Sequence, residues 1–417
     1  YSIDALNAAT NSGTLSWAFI GGMGMMTAMS EVFVAQFNGA KIYSKIGAPV
    51  WQMIWISFFS LFFLFIPLGM FGGPLFFKES LKELEITYFK PLMLAGFSYP
   101  LMMAVAGFFI GRGKTKLLLY IAVGANILNI ILDKIFIFGL PGIIPEMGIF
   151  GAAIATCTGT FFELFILIFI FLKKEYRMEF GTNRWKPQKS LMKKCFRVGF
   201  PQGIFYSIEF FGWAFFYLMM TNLSEIHITV SSICQTAIIL FSFFFDGLSR
   251  GVAALAGNYI GSKKYNLLKS LFRSGCYLQI LFSSLILILF LLNNRIFYYF
   301  LIPESSIAST SLDLIFFQKV LNISLLIGFF YLFLDGIRWV LAGILVAAGD
   351  TIFLLISGGI SVWLFLLLPL YFIVVKYHLS VITAWLLVAG FAFSLTIIYF
   401  IRYRSNKWKK IRITEKD

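Results

Sequence analysis

The chain has 417 residues, of which 59% are hydrophobic and 13% charged, with a mean hydropathy of +0.87. That balance excludes a water-soluble globular domain. The formal net charge of +15 is compatible with a nucleic-acid partner only if the basic residues gather on one face. They lie instead in short segments between long apolar runs, which excludes that partner.

A bilayer core of about 30 Å needs roughly 20 apolar residues per helix. In chain order, eleven stretches meet that need: 14–37, 48–72, 89–111, 117–139, 150–172, 199–221, 228–249, 276–300, 315–347, 351–374 and 379–401. The stretch 315–347 is long for a single span and suits a surface lead-in. None shows the short alternating strands of a barrel. The expected fold class is an all-α polytopic membrane protein of two pseudo-symmetric helical bundles.

Orientation follows from charge. With the C-terminal tail in the cytoplasm and the loops alternating backwards, 25 of the 34 Lys and Arg fall on the cytoplasmic side. Lys41, Lys45, Arg112, Lys114 and Lys116 are among them. Lys78, Lys82 and Lys376 mark the opposite loops. This is the positive-inside pattern, and it fixes the orientation with the C-terminus cytoplasmic; the expected location is a bacterial inner membrane. The basic tail is expected to touch anionic lipid.

The sequence also echoes itself. Ala106-Gly107 with Gly113 and Thr115 returns 236 positions later as Ala342-Gly343 with Gly349 and Thr351. Gly39-Ala40-Lys41-Ile42-Tyr43 returns 222 positions later as Gly261-Ser262-Lys263-Lys264-Tyr265. A duplicated helical bundle is the usual plan of a secondary transporter. The polar segment from Lys173 divides the repeats. The expected organisation is 1–174 as an N-lobe of five spans, 175–197 as a cytoplasmic connector, and 198–417 as a C-lobe of six spans with the basic tail. Residues 188–197 have the pattern of an amphipathic helix lying in the interface. Five spans against six predict a further first helix ahead of residue 1, which the alternation puts outside.

A charge at the centre of a membrane helix costs about 2.5–3.5 kcal/mol on insertion scales, so each one needs a reason. Glu31 and Glu163 are intramembrane acids without evident partners. Asn126, Asn129 and Asp133 recur at three and four positions and form one helical stripe. That stripe suits a cation or proton site, or a hydrogen-bonded seam between helices. Thr156, in the next stretch, could add a hydroxyl, and Lys134 is expected to snorkel. Glu209 lies near mid-bilayer with no basic neighbour in sequence. Asp246 and Arg250 have the spacing of a salt bridge. Asp335 has Arg338 one turn on, the spacing of an ion pair, in a stretch that Gly336, Gly343 and Gly349 could let bend.

Cys157, Cys195, Cys234 and Cys276 show no metal spacing, and no disulfide is expected. His227 and His378 fall at outer helix ends and read as solvated. The chain has no His-Glu-x-x-His and no Gly-x-Ser-x-Gly, so an enzyme is not expected, nor any cofactor beyond a coupling ion.

Five segments in order resemble the multidrug and toxic compound extrusion (MATE) transporters. Val34-Ala35-Gln36-Phe37-Asn38-Gly39-Ala40 looks like the end of that family's second helix. Asn129-Ile130-Ile131-Leu132-Asp133, then Ile135 to Gly139, is similar to its fifth-helix motif. Gly148 to Thr156 resembles the start of the sixth, Gly199-Phe200-Pro201 with Glu209 the seventh, and Asp335 through Gly343 to Thr351 the tenth. The resemblance implies twelve helices in two six-helix lobes, the first helix being absent here. It implies an antiporter that exports cationic amphipathic molecules by alternating access in exchange for Na⁺ or H⁺, as a monomer in the bilayer. It maps an N-lobe cation site to Asn129, Asp133 and Thr156. It maps a C-lobe site, with Na⁺ as its candidate metal ion, to Glu209 and Asp335. Asn126, Glu31 and Glu163 are additional candidates. The chain departs from the pattern at Lys134, where Pro is usual, at Val346-Ala347, where Arg-Gly is usual, and at Arg338, where Gln is usual. A lipid-linked oligosaccharide flippase of the same superfamily is the alternative. It would line its cleft with bases, whereas here intramembrane acids outnumber intramembrane bases.

Overall fold

The computed structural model of the chain describes residues 2–78, 81–292, 314–411 and 413. Among the described residues, ten helices are long and apolar enough to cross a membrane. The number is up to eleven if one bent pair counts as a span, in agreement with the predicted stretches. The chain divides into two compact units. One holds the described residues up to Ser207 together with Gly257–Lys263. The other holds Ile208–Ala256 and the described residues of Lys264–Arg412.

In the first unit, α1 (Ile3–Ala28) and α2 (Ser30–Gly39) are interrupted only at Met29. The helix begins near residue 3, well before the predicted 14. Ser2 caps it by accepting from the Ala5 amide at 3.2 Å, which satisfies one of the orphan N–H groups of the first turn. α3 (Gly47–Ser60) runs on through π-helical segments Leu61–Phe65 and Leu68–Gly72 into α4 (Gly73–Phe76). Pro67, which has no N–H to give, lies between the two segments. α5 (Lys82–Ala95) and α6 (Ser98–Gly111) form the bent pair, at 42°. Pro91 and Gly96 account for the break.

α7 (Thr115–Phe138) lies close against α8 (Gly148–Phe171) because α8 offers glycines. A Cβ on Gly151 would meet the Phe136 carbonyl oxygen at 2.4 Å, and one on Gly159 would meet the Asn129 Cβ at 3.3 Å. Small residues are what allow such approach where lipid supplies no hydrophobic drive.

The connector is fastened down. Its short α9 (Lys174–Phe180) stacks Phe180 and Tyr176 on the Arg112 guanidinium, 3.7 and 4.9 Å from the ring centres. Trp51 Nε1 donates to the Thr182 carbonyl and Trp55 Nε1 to that of Trp185, both at 2.7 Å. The expected interfacial helix at 188–197 is not a separate element. From Lys189 onward it is the first turns of α10 (Lys189–Leu223), which continues unbroken past Pro201.

The remaining helices are α11 (Glu225–Gly261), α12 (Leu267–Leu292), α13 (Leu314–Ala347), α14 (Thr351–Ser361) and α15 (Val381–Arg404). Residues 293–300 of the predicted 276–300 stretch lie outside the described residues. α13 is the core of its unit, packed on both α12 and α15.

The duplication is written in the backbone. Lys41 and Lys263 both adopt φ 60°, and Gly113 and Gly349 adopt 73° and 81°. These are equivalent positions in the two sequence echoes. Left-handed geometry costs a non-glycine residue about 1–2 kcal/mol, so the shared lysine turns record a common template. Within the first unit, equivalent positions also meet. A Cβ on Gly39 would fall 2.1 Å from the Asn258 carbonyl oxygen, and one on Gly261 would fall 2.0 Å from that of Gln36.

Candidate functional site

Two groups of polar side chains are built inside the membrane-spanning helices, one in each unit. In the first, α7 carries Asn126, Asn129 and Asp133. Asn126 is exposed and donates to its own helix at the Ala122 carbonyl, 2.8 Å away. Asn129 is half-buried against Gly159, and its Nδ2 is buried without a hydrogen-bond partner. Thr156 of α8 is exposed and donates to Ala152 O at 3.1 Å. Neither of these bonds runs from α7 to α8.

Asp133 is half-buried and has no ion-pair partner among the described residues. Tyr88 of α5 and Thr156 of α8 face the same small cavity, of about 100 Å³, with Ser16, Trp17 and Thr160, and Asp133 is not among the residues that line it. The structure therefore brings Thr156 and Tyr88 to one cavity, while Asp133 and Asn129 lie on α7 outside its lining and Asn126 is exposed. Tyr88 was missed by sequence reasoning because it falls in a charged stretch, Lys82 to Lys90, that resembles a loop. The same stretch hides Glu85, which is buried and accepts from Asn11 Nδ2 at 3.3 Å.

Glu31 is 3% exposed in the first turn of α2, where the amide ends of the helix favour an anion. Glu163 is half-buried on α8.

The second group centres on Arg338. Asp335, Arg338 and Trp339 share one face of α13, and Glu209 reaches them from α10. Arg338 Nε donates to Asp335 Oδ1 at 2.5 Å, and its Nη2 donates to Glu209 Oε1 at 3.3 Å. Trp339 Nε1 donates to Asp335 Oδ2 at 2.8 Å. Both Asp335 oxygens are thus held by N–H donors. Asp335 and Arg338 are buried. The Tyr399 hydroxyl of α15 lies beside the guanidinium, but with no hydrogen bond of good geometry. Two carboxylates against one guanidinium leave one net negative charge when all three are ionised.

The expected i,i+3 pair of Asp335 and Arg338 is present, and Glu209 joins it. As a Na⁺ site, however, the pair is changed. A hard cation seeks oxygen lone pairs, and here a guanidinium stands between the two acids. Among the described residues no three His, Cys, Asp or Glu side chains converge as metal ligands. The 129 positions between Glu209 and Arg338 hid this contact from local spacing.

Gly336 and Gly343 of α13 are packing notches in this structure, against Gln279 and Ser249 respectively. The Gln279 side chain of α12 lies against Gly336 and donates from Nε2 to the Phe333 carbonyl at 2.9 Å and the Leu332 carbonyl at 3.2 Å. A Cβ on Gly336 would sit 2.1 Å from that amide. Gly336→Ala should therefore destabilise the protein by about 1–3 kcal/mol, the usual scale of overpacking. Gln279→Ala in the same chain should recover part of the loss. Thermal unfolding of the two variants checks this, and equal loss with and without Gln279 would remove the notch as the cause.

Two further pairs complete the unit. Asp246 and Arg250 form their expected bridge at 3.0 Å. Arg402 of α15 grips Asp350 through two bonds, at 2.7 and 3.0 Å, a pair the sequence did not suggest.

Comparison with known proteins adds family and fold. The MatE family model matches residues 3–135 and 201–373. The chain is 29% identical to the probable multidrug resistance protein NorM of Thermotoga maritima, over 97% of this chain and 89% of that protein. It is 24% identical to the probable multidrug resistance protein YoeA of Bacillus subtilis, over 92% and 82% respectively. Among solved structures, the Vibrio cholerae MATE transporter VcmN superposes with a TM-score of 0.82 at 15% identity, covering 97% of this chain and 90% of that one.

Proposed function

The chain belongs to the MatE family of transporters, and from that premise we propose that it exports small organic cations across a bacterial inner membrane in exchange for an inward-moving cation. It is a multidrug efflux transporter and not an enzyme. Similarity along nearly the whole chain to relatives named for multidrug resistance supports the substrate class. The distribution of intramembrane acids supports cationic substrates: Asp133 has no basic partner among the described residues, and the Arg338 group sets two carboxylates against one guanidinium.

The observation that bears most on the coupling ion is the guanidinium between Glu209 and Asp335. It fills with N–H donors the place where Na⁺ would need oxygen ligands. This favours H⁺ as the coupling ion, exchanged at the half-buried Asp133, with Asn129 one turn away on α7 contributing polarity. Proton binding can drive transport only through its different affinity for the two lobe conformations. In this reading a single chain carries the whole cycle.

The test is accumulation of a fluorescent cationic dye inside everted vesicles containing the full-length protein. Imposing a pH gradient should drive dye movement in Na⁺-free buffer, and a Na⁺ gradient at equal pH should not. No movement under either gradient would remove the export assignment. Movement under Na⁺ alone would keep the assignment and replace the ion.

A further inference from the structure

Where α12 begins and α15 ends, the second unit encloses an open cavity of about 690 Å³. Four cations line it: Lys269 and Arg273, one turn apart on α12, with Arg404 and Lys409 from the end of α15 and beyond. Among the described residues that line it, none is acidic. Its floor is aromatic. Tyr403 and Trp408 stack with ring planes 5° apart and centres 6.0 Å apart, and Phe272 packs on Tyr403 at 5.2 Å.

The local chain folds to make this shape. After Arg404 the backbone turns through Asn406 at φ 54°, a left-handed position that Asn tolerates well. A short 3₁₀ turn, Lys407–Lys410, follows. Trp408 is buried, and its Nε1 donates to the Tyr403 carbonyl at 2.9 Å. That anchor brings Lys409 over both rings, 5.9 Å from Tyr265 and 5.4 Å from Trp408.

The position is as informative as the charge. α12 and α15 are each long and apolar enough to cross a membrane, and the cavity sits where α12 starts and α15 ends, the level at which a spanning helix meets the headgroups. The distribution of Lys and Arg assigns that side to the cytoplasm, where anionic lipids attract basic groups. Arginine forks match phosphate oxygens, and lysine adds compact point charge.

We propose that this cavity binds the phosphate-ester headgroup of an anionic membrane lipid, with Lys269, Arg273, Arg404 and Lys409 around the phosphate and the Tyr403–Trp408 stack beneath it. The site is separate from the buried acids and does not depend on the transport reading.

The test uses delipidated full-length protein in detergent, with bound lipid counted by native mass spectrometry. Phosphatidylglycerol should be retained by the wild type, and phosphatidylcholine should not. The Lys269→Gln/Arg273→Gln variant should lose phosphatidylglycerol affinity on the order of tenfold or more. The Lys407→Gln/Lys410→Gln variant removes the same charge from the same tail but outside the cavity, and should bind as the wild type does. All four positions are exposed, and a monodisperse chromatography profile confirms that each variant folds. Equal loss in both double variants would reduce the effect to diffuse tail charge and overturn the site. So would equal retention of phosphatidylcholine, or no retention of either lipid. Displacement of the lipid by an equal concentration of inorganic phosphate would assign the cavity to a free anion, and the lipid proposal would fail.

Discussion

Arg338→Gln should make the protein unstable in choline chloride and measurably more stable in NaCl, whereas the wild type should melt at the same temperature in both. Removing one partner from a buried, hydrogen-bonded ion cluster costs about 3–5 kcal/mol, because the remaining charges are left without compensation. Here the remainder is two carboxylates, Asp335 and Glu209, which Arg338 joins by contacts of 2.5 and 3.3 Å. Deprived of the guanidinium, they form an oxygen-rich pocket with excess negative charge, which suits a hard cation. A cation that binds only the folded state stabilises it in proportion to the logarithm of its concentration over its dissociation constant. Arg338→Lys should be intermediate, since it keeps the charge but loses the planar fork that reaches both acids. Identical melting of Arg338→Gln in the two salts would show that the pair cannot take Na⁺ even when vacated. A Na⁺-stabilised wild type whose response disappears in Glu209→Gln would place the ion alongside Arg338 and overturn the proton assignment.

Asp133→Asn should reduce pH-driven dye efflux by between about 5- and 150-fold, the usual range of a coupling free energy between two sites. The substitution keeps the shape and removes the titrating group. Asp133 is half-buried with no ion-pair partner among the described residues, so a neutral amide there leaves no opposite charge stranded, and insertion should be intact. Asn129→Ala should be milder, because its Nδ2 has no hydrogen bond to lose. Tyr88→Phe separates the phenol hydroxyl from bulk packing and should fall between the two. Dye accumulation in everted vesicles, normalised to protein in the membrane, is the measurement. Wild-type efflux from Asp133→Asn would move the coupling step to the Glu209 group.

The all-α fold and the number of spans were readable because bilayer thickness sets a length and composition that few other structures satisfy. The ends were less readable. α1 starts at Ile3 and α5 at Lys82, in segments whose polarity resembles that of loops. The polarity is consumed internally: Ser12 and Ser16 donate to carbonyls one turn back, and Asn11 meets Glu85. A hydropathy profile counts those groups but not their partners. The same limit hid the geometry of the second candidate site. Glu209 and Asp335 stood out because single acids in an apolar run demand explanation. That Arg338 bridges them depends on the packing of α10 against α13, which no local spacing encodes. Asp246 and Arg250, four positions apart, needed no such packing, and their bridge was legible.

A ligand that never dissociates is not a fuel. Arg338 is covalently part of α13, so unlike a coupling ion it is present beside Asp335 and Glu209 whatever the concentration of any ion outside. It acts instead as a fixed bias, favouring the arrangement of these helices that keeps all three groups together. Its effect also carries no electrical signature. Moving one elementary charge through the membrane potential is worth about 2.3 kcal/mol per 100 mV, but a side chain tethered to α13 is not carried from one side of the membrane to the other. In the exchange of one proton for one monovalent drug, the two charges that do cross cancel. Clamping the voltage with potassium and valinomycin should therefore leave the rate of such an exchange unchanged, while a doubly charged substrate should make it voltage-sensitive.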